Sequence, residues 1–317
     1  MKKIALNLFL LIVIAGLSFN VFAQKQKVIL DSDLGGDIDD AYALALLLAS
    51  PELDILGVVM DYGNTPKRAQ IACRMLYETG RENIPVVVGR KTGDDYSYQF
   101  YWGEGFDKVQ PVKQAAADFI IEQLKKYPNE VILITIGPVP NMADILDKDP
   151  GALKLAKHVY SMYGSFYMGY DSSPIPSAEA NVKADVNASK KFVSSGAKIT
   201  YAGLDITTYV ILKYELIELL SHRKSPLTDA IVSLYSLWGM ESDGKPKPVL
   251  FDAVAVSMVI WPELFTTRKA FVKVTDEGYT VIDESKEPNC EIGMSINTKE
   301  FFNKYIDRLM KQNLMRK

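Results

Sequence analysis

The chain has 317 residues, 48% hydrophobic and 24% charged, with 36 Lys and Arg against 39 Asp and Glu and a net charge of −3. So much apolar content excludes a disordered chain, and the mildly acidic balance carries no basic footprint for nucleic acid. Two cysteines, Cys73 and Cys290, exclude a disulfide framework.

The first run, MKKIALNLFLLIVIAGLSFNVFAQ, joins two lysines, a long apolar stretch and Val21-Phe22-Ala23, the pattern of a secretory signal. On that reading residues 1–23 are set aside, residues 24–317 form a single domain, and the protein is expected to be periplasmic or secreted, with no membrane association after the signal is removed. The removal takes away Lys2 and Lys3 and no acid, leaving 34 basic against 39 acidic residues and a net charge of −5.

Strand-like runs follow at KVIL, LDILGVVM, IPVVVG, EVILITIG, HVYSMYG and AKITYAG. Helical patterns lie between them at DDAYALALLLAS, PKRAQIACRMLYETG, VKQAAADFIIEQLKKY and PNMADILDK. Strand then helix, repeated, predicts an α/β fold: an open, mostly parallel central sheet with helices on both faces. Near the C-terminus AFVKVTDEGYTVID predicts a hairpin turning at Asp276-Glu277-Gly278, and NTKEFFNKYIDRLMKQNLM a closing helix capped by Asn297.

Open parallel sheets bind ligands beyond the carboxyl ends of their strands. Polar clusters fall there at DSDLGGDIDD, DYGN (61–64), IGPVPN (136–141) and SSPIPSAEANVKAD (172–185), and FDAVAV (251–256) starts a helix with an acid. The first cluster puts Asp31, Asp33, Asp37, Asp39 and Asp40 into ten residues. One or two acids at a helix start are explained by capping and by the helix dipole. The others call for a cation, since adjacent carboxylates otherwise raise one another's pKa. Oxygen donors without Cys or His point to a hard ion, and a carboxylate cluster with carbonyl help suits Ca²⁺ better than Mg²⁺.

An Asp-x-Asp after a first strand also occurs in haloacid-dehalogenase-type phosphatases, but those carry Thr or Val where this chain has Gly35 and a late acidic pair where it has only Asp252. The chain resembles the nucleoside hydrolases, whose fingerprint is an Asp-x-Asp, a glycine and an Asp-Asp-Ala opening a helix. It matches in Asp31-Ser32-Asp33, Gly35 and Asp39-Asp40-Ala41, with two extra residues in the loop. GVVMDYGN, LITIGPVPNMADIL, VYSMYGSF, SAEANVKAD, AGLDITT and the Asp of FDAVAV are similar to further family segments in chain order from 28 to about 260.

The resemblance implies the nucleoside hydrolase fold, which is Rossmann-like, and cleavage of the N-glycosidic bond of ribonucleosides to ribose and free base for salvage. Asp33, Asp40, Asp252 and the main-chain carbonyl of Ile136 would bind Ca²⁺. Asp33 would be the general base toward a Ca²⁺-bound water. Asp39, Asn64 and Asn181 would fix the ribose diol, Glu179 the 5′ hydroxyl, and Met162 would line the sugar. The partner is a small ribonucleoside, with a homo-oligomer, dimer or tetramer, as the assembly to test.

Family members often carry a histidine before the last metal aspartate; here that position is Phe251. His158 and His222 do not replace it by sequence, so leaving-group activation is unassigned. The aromatic segments 94–107 and 232–245 offer Tyr96, Tyr98, Phe100, Tyr101, Trp102, Tyr235 and Trp238 for stacking on a base, with Glu104 or Asp95 as acids. The other reading of Phe251 is a non-catalytic, Ca²⁺-dependent nucleoside- or ribose-binding protein on the same fold. Asp37 competes with Asp33 for the metal or base role. Base preference, oligomeric state and any pairing of Cys73 with Cys290 are not legible.

Overall fold

Every expected β-branched run becomes a strand in the structure, a computed structural model that describes residues 24–241 and 247–316. The strands are β1 (Gln26–Ser32), β2 (Leu53–Met60), β3 (Val86–Val88), β4 (Val131–Thr135), β5 (His158–Met162), β6 (Ile199–Ala202), β7 (Phe265–Ala270), β8 (Val272–Val274), β9 (Thr280–Ile282) and β10 (Cys290–Ile296). Eight form one sheet in the order β3-β2-β1-β4-β5-β6-β10-β7. All neighbours pair parallel except β10 with β7. This is the α/β architecture expected, and β8–β9 is the expected hairpin, with Gly278 in its turn at φ +84°.

Two strands were not foreseen. The edge strand β7, FTTRKA, is mostly solvent-facing, so it lacks the apolar run by which a buried strand is recognised. Its partner β10, CEIGMSI, is interrupted by a glycine, and its register slips between Gly293 and Ser295.

Helices cover both faces. Asp39–Leu48 and Phe251–Ile260 pack against each other and are buried nearly all round, which explains sequences apolar on every face rather than on one stripe. Helix Thr298–Lys311 closes the same side, and the Asn297 side chain accepts a 3.2 Å bond from the Glu300 N–H, as the cap motif predicts. Helices Ala116–Lys126, Pro140–Lys148 and Val186–Val193 cover the opposite face. Cys73 lies in one core and Cys290 in the other, both as free thiols, each pushed up to about 12 by burial. They do not pair. Among the described residues no helix is long and apolar enough to cross a membrane.

Candidate active site

The strand order reverses at β1: β2 and β3 run out on one side, β4, β5 and β6 on the other. That switch point opens a crevice at the carboxyl ends of β1 and β4, where the aspartate loop leaves β1. Gly35 turns the loop at φ +93°, a conformation that disfavours any side chain, and a Cβ there would also lie 2.8 Å from Cδ1 of Ile71.

The loop feeds helix Asp39–Leu48, whose first turn meets the first turn of helix Phe251–Ile260. One oxygen from each of Asp39, Asp40 and Asp252 lies within 4.8 Å of the others. The Asp252 N–H donates to Oδ2 of Asp39 at 3.2 Å, and the Ser32 hydroxyl donates to Oδ1 of Asp40 at 2.6 Å. All three carboxyls are buried. Burial first, then repulsion from neighbouring aspartates, pushes each well above the usual carboxylate range, and a bound cation would favour their charged forms. The cavity wall around them contains no Lys, Arg or His. Three carboxylates converging on a cavity wall without a basic side chain could hold a hard divalent cation.

The cavity measures about 240 Å³ and is lined by Asp33, Asp37, Asp39, Asp40, Ile136, Met162, Tyr170, Glu179, Ala180, Asn181, Phe251 and Asp252. Asn181 donates from Nδ2 to the carbonyls of Ile136 and Met162, 3.1 Å each. Glu179 caps its short helix by accepting from the N–H groups of Asn181 (2.9 Å) and Val182 (3.2 Å), and takes a third bond from Gly164 (3.1 Å). Burial outweighs those bonds and holds its carboxyl up to about 7.

Behind the wall, Arg68 braces the aspartate loop. Its Nε donates to the Tyr62 carbonyl at 2.7 Å, its Nη1 to the carbonyls of Asp33 and Leu34, and its Nη2 pairs with Asp95 at 2.7 Å. Its charge opposes the burial that raises Asp33. Asp61 directly follows β2, fully buried, and among the described residues neither of its carboxylate oxygens, nor Oδ2 of Asp31, meets an N–H or O–H donor. Burial pushes both carboxyls up, Asp31 to about 7 and Asp61 well above the usual range, and a proton shared between them would satisfy both. Gly137 lets the strand end approach this layer, since a Cβ would stand 2.6 Å from Oδ1 of Asp33 and 2.7 Å from Oδ1 of Asp61. Gly137→Ala is therefore expected to cost about 1–3 kcal/mol, read as a lower urea midpoint with an unchanged slope. An unchanged midpoint would show that the two acids can move aside.

The model of the inosine-uridine preferring nucleoside hydrolase family matches residues 28–303. The chain belongs to this family. It is 30% identical to uridine nucleosidase 1 of Arabidopsis thaliana over 282 residues, covering 83% of this chain and 82% of the relative. It is also 30% identical to the non-specific ribonucleoside hydrolase RihC of Escherichia coli over 302 residues, covering 88% and 96%. The fold superposes on a solved plant nucleoside hydrolase with a TM-score of 0.80 at 24% identity, over 90% of this chain and 99% of that one. As a family member the chain is an enzyme, a glycosidase of the nucleoside hydrolase type acting on small nucleosides.

The expected periplasmic or secreted location does not stand. The matched relatives, spanning more than four fifths of the chain, count against an exported protein. Residues 1–23, from which export was read, lie outside the described residues. Lysines followed by an apolar run specify hydrophobicity, which by itself sets neither cleavage nor destination.

Of the expected site residues, Asp33, Asp39, Asp40, Ile136, Met162, Glu179, Asn181 and Asp252 line the one cavity. Asp39 rather than Asp33 completes the tight carboxylate triad with Asp40 and Asp252. Asn64 is not a wall residue: it stands at the start of helix Thr65–Glu78, where its N–H donates to Asp95. Asp37 lines the mouth of the cavity, its Oδ1 accepting from the Ile38 N–H at 2.6 Å.

The acids expected to help the base leave are engaged elsewhere, Asp95 with Arg68 and Glu104 with Lys67 at 3.2 Å on the surface. Phe100, Trp102, Tyr235 and Trp238 pack on the core, whereas Tyr96, Tyr98 and Tyr101 form a ring cluster with Tyr96 and Tyr101 exposed. Residues 242–245 of the second aromatic segment lie outside the described residues. His158 bonds Thr200 at 2.8 Å at the start of β5, and His222 is exposed. Sequence reasoning missed Asp61 and Tyr170. For Asp61 the signal was an acid directly after the apolar strand β2; Tyr170 sits in a loop with no periodicity to mark it.

Proposed function

We propose that this chain hydrolyses the N-glycosidic bond of ribonucleosides, giving ribose and free base, with Ca²⁺ as its cation. The observation that carries this reading is the buried triad of Asp39, Asp40 and Asp252 in a cavity without a basic side chain. Asp40, Asp252, Asp33 and the Ile136 carbonyl would hold the ion, with Asp39 beside them. A hard divalent cation bound there supplies positive charge that grips the ribose diol and acidifies the attacking water.

This chain's residues do the rest. Asp33 takes a proton from the attacking water. Asp39 and Asn181 hold the ribose diol, Glu179 takes the 5′ hydroxyl, and Met162 packs on the sugar face. The carboxylates around the ring stabilise the positive charge that develops on an oxocarbenium-like sugar. A cavity of about 240 Å³ is below the roughly 300–1,000 Å³ of whole-ligand pockets. It encloses the ribose and leaves the base toward its mouth.

The test is release of reducing sugar from inosine, adenosine, uridine and cytidine, with and without a chelator. Ribose release that the chelator abolishes and Ca²⁺ restores is the expected result. Release that survives full chelation would overturn the cation's part, and no release from any nucleoside would overturn the substrate.

A second outcome follows from the diol contacts. Removing a hydroxyl leaves a buried polar partner unpaired, at about 1–3 kcal/mol. 2′-Deoxyinosine should therefore show a kcat/KM about 5- to 150-fold below inosine, and equal values would place the diol outside the recognised part of the substrate.

A further inference from the structure

When the bond to a nucleobase breaks, its electron pair moves onto a ring nitrogen, and a donor must meet the charge that develops there. The cavity wall is nearly all acceptor. Its aspartates are grouped for a cation, Glu179 is filled by three N–H groups, and the Asn181 amide donates to the carbonyls of Ile136 and Met162. Neither histidine reaches the wall.

Tyr170 is the exception. Its ring stands edge-on to Phe251, with centroids 6.2 Å apart and planes at 81°. The Ala180 N–H donates to its phenol oxygen at 2.9 Å. That bond fixes the oxygen and uses one of its lone pairs, while its own proton meets no acceptor among the described residues. The loop behind it is tied down: the Tyr170 N–H donates to Oγ of Ser177 at 3.3 Å, and the Gly169 N–H to the Ser173 carbonyl at 2.8 Å.

We propose that the Tyr170 hydroxyl is a catalytic residue that donates a hydrogen bond to the departing nucleobase. The proposal rests on the ribonucleoside hydrolase reading above. The C1′–N electron pair goes to the base nitrogen, and water gives its hydroxyl to C1′ and a proton to Asp33. Tyr170 keeps its proton, and the base takes one from solvent as Asp33 returns its own. Burial and the charges of Glu179, Asp39 and Asp37 hold the phenol well above its usual range, so it serves as a hydrogen-bond donor throughout.

Tyr170→Phe keeps the ring against Phe251 and removes only the O–H. The variant and the wild type are to be compared on uridine, inosine and 4-nitrophenyl β-D-ribofuranoside, whose nitrophenolate leaves without a donor. The expected result is a fall in kcat on both nucleosides of about 10- to 100-fold, the loss of a hydrogen bond to a developing charge. KM should be little changed, and the nitrophenyl riboside should be cleaved within about 2-fold of wild type, since that step needs no donor.

Equal losses on all three substrates would make Tyr170 a sugar contact and overturn the proposal, as would no loss on any. A wild type that turns over nucleosides beside an unaffected variant fails this proposal alone. A wild type that turns over no nucleoside fails the hydrolase reading and this proposal with it.

Discussion

Asp33→Asn is expected to lower kcat on ribonucleosides by about 10²- to 10⁴-fold, the usual contribution of a positioned general base, while the protein stays folded. Asp33 follows β1 directly and lines the cavity beside Ile136, Asp40 and Asp252. Its own backbone carbonyl accepts from Arg68 and from the Gly36 N–H, so the loop's course does not depend on the carboxylate. Asn keeps the shape and loses the proton acceptor. The loss should therefore appear in kcat, with thermal unfolding close to wild type. Steady-state kinetics beside a melting curve separate the outcomes. A variant within about 5-fold of wild type would transfer the base role to Asp37, the other aspartate that lines this cavity outside the triad.

Most of the residues that line the candidate site could be named from the sequence, and particular others could not, for physical reasons. The parallel strands are buried on both faces, so their apolar runs are continuous and stand out, and the acids that follow them stand out by contrast. Asp39 and Asp40 are legible because a helix start places consecutive residues predictably. Asp252 is legible for the same reason. Glu179 and Asn181 were reached through the family resemblance, and what failed to show was the pairing of side chains between separate loops.

Asp95 reads as a free acid in a polar loop, yet it is the counter-ion of Arg68, 27 residues away. Asn64 reads as a substrate contact; it does not line the cavity, and its backbone N–H is held by the same Asp95. Tyr170 has no pattern in sequence, and its position follows from the contacts with Ala180 and Phe251. The extra residues of the GGDID loop are absorbed at its crest, where Asp37 turns outward, so Asp39 and Asp40 still reach the helix start. Of the hairpin and the two unforeseen strands, only the hairpin carried local turn chemistry.

The second large effect is the response to a cation. Three buried carboxylates with oxygens within 4.8 Å of one another repel in the cation-free protein, and folding must either pay that repulsion or protonate them. Ca²⁺ that binds only the folded state adds about 2.7 kcal/mol at a hundredfold excess over Kd, or about 4–5 °C in Tm for a chain of this size. Chelation should reverse it and abolish ribose release.

Asp252→Asn sharpens the test because it changes sign with conditions. In chelator the variant has one repelling charge fewer and should melt at or above the wild type. With Ca²⁺ present only the wild type should gain stability, and turnover of the variant should fall by about 10³-fold or more, the rate equivalent of several kcal/mol of lost charge stabilisation. If wild type and variant melt alike in both conditions while hydrolysing nucleosides, the triad holds no cation. The converging aspartates would then be a protonated cluster at two helix starts, and the reaction would run on Asp33 and the ribose contacts alone.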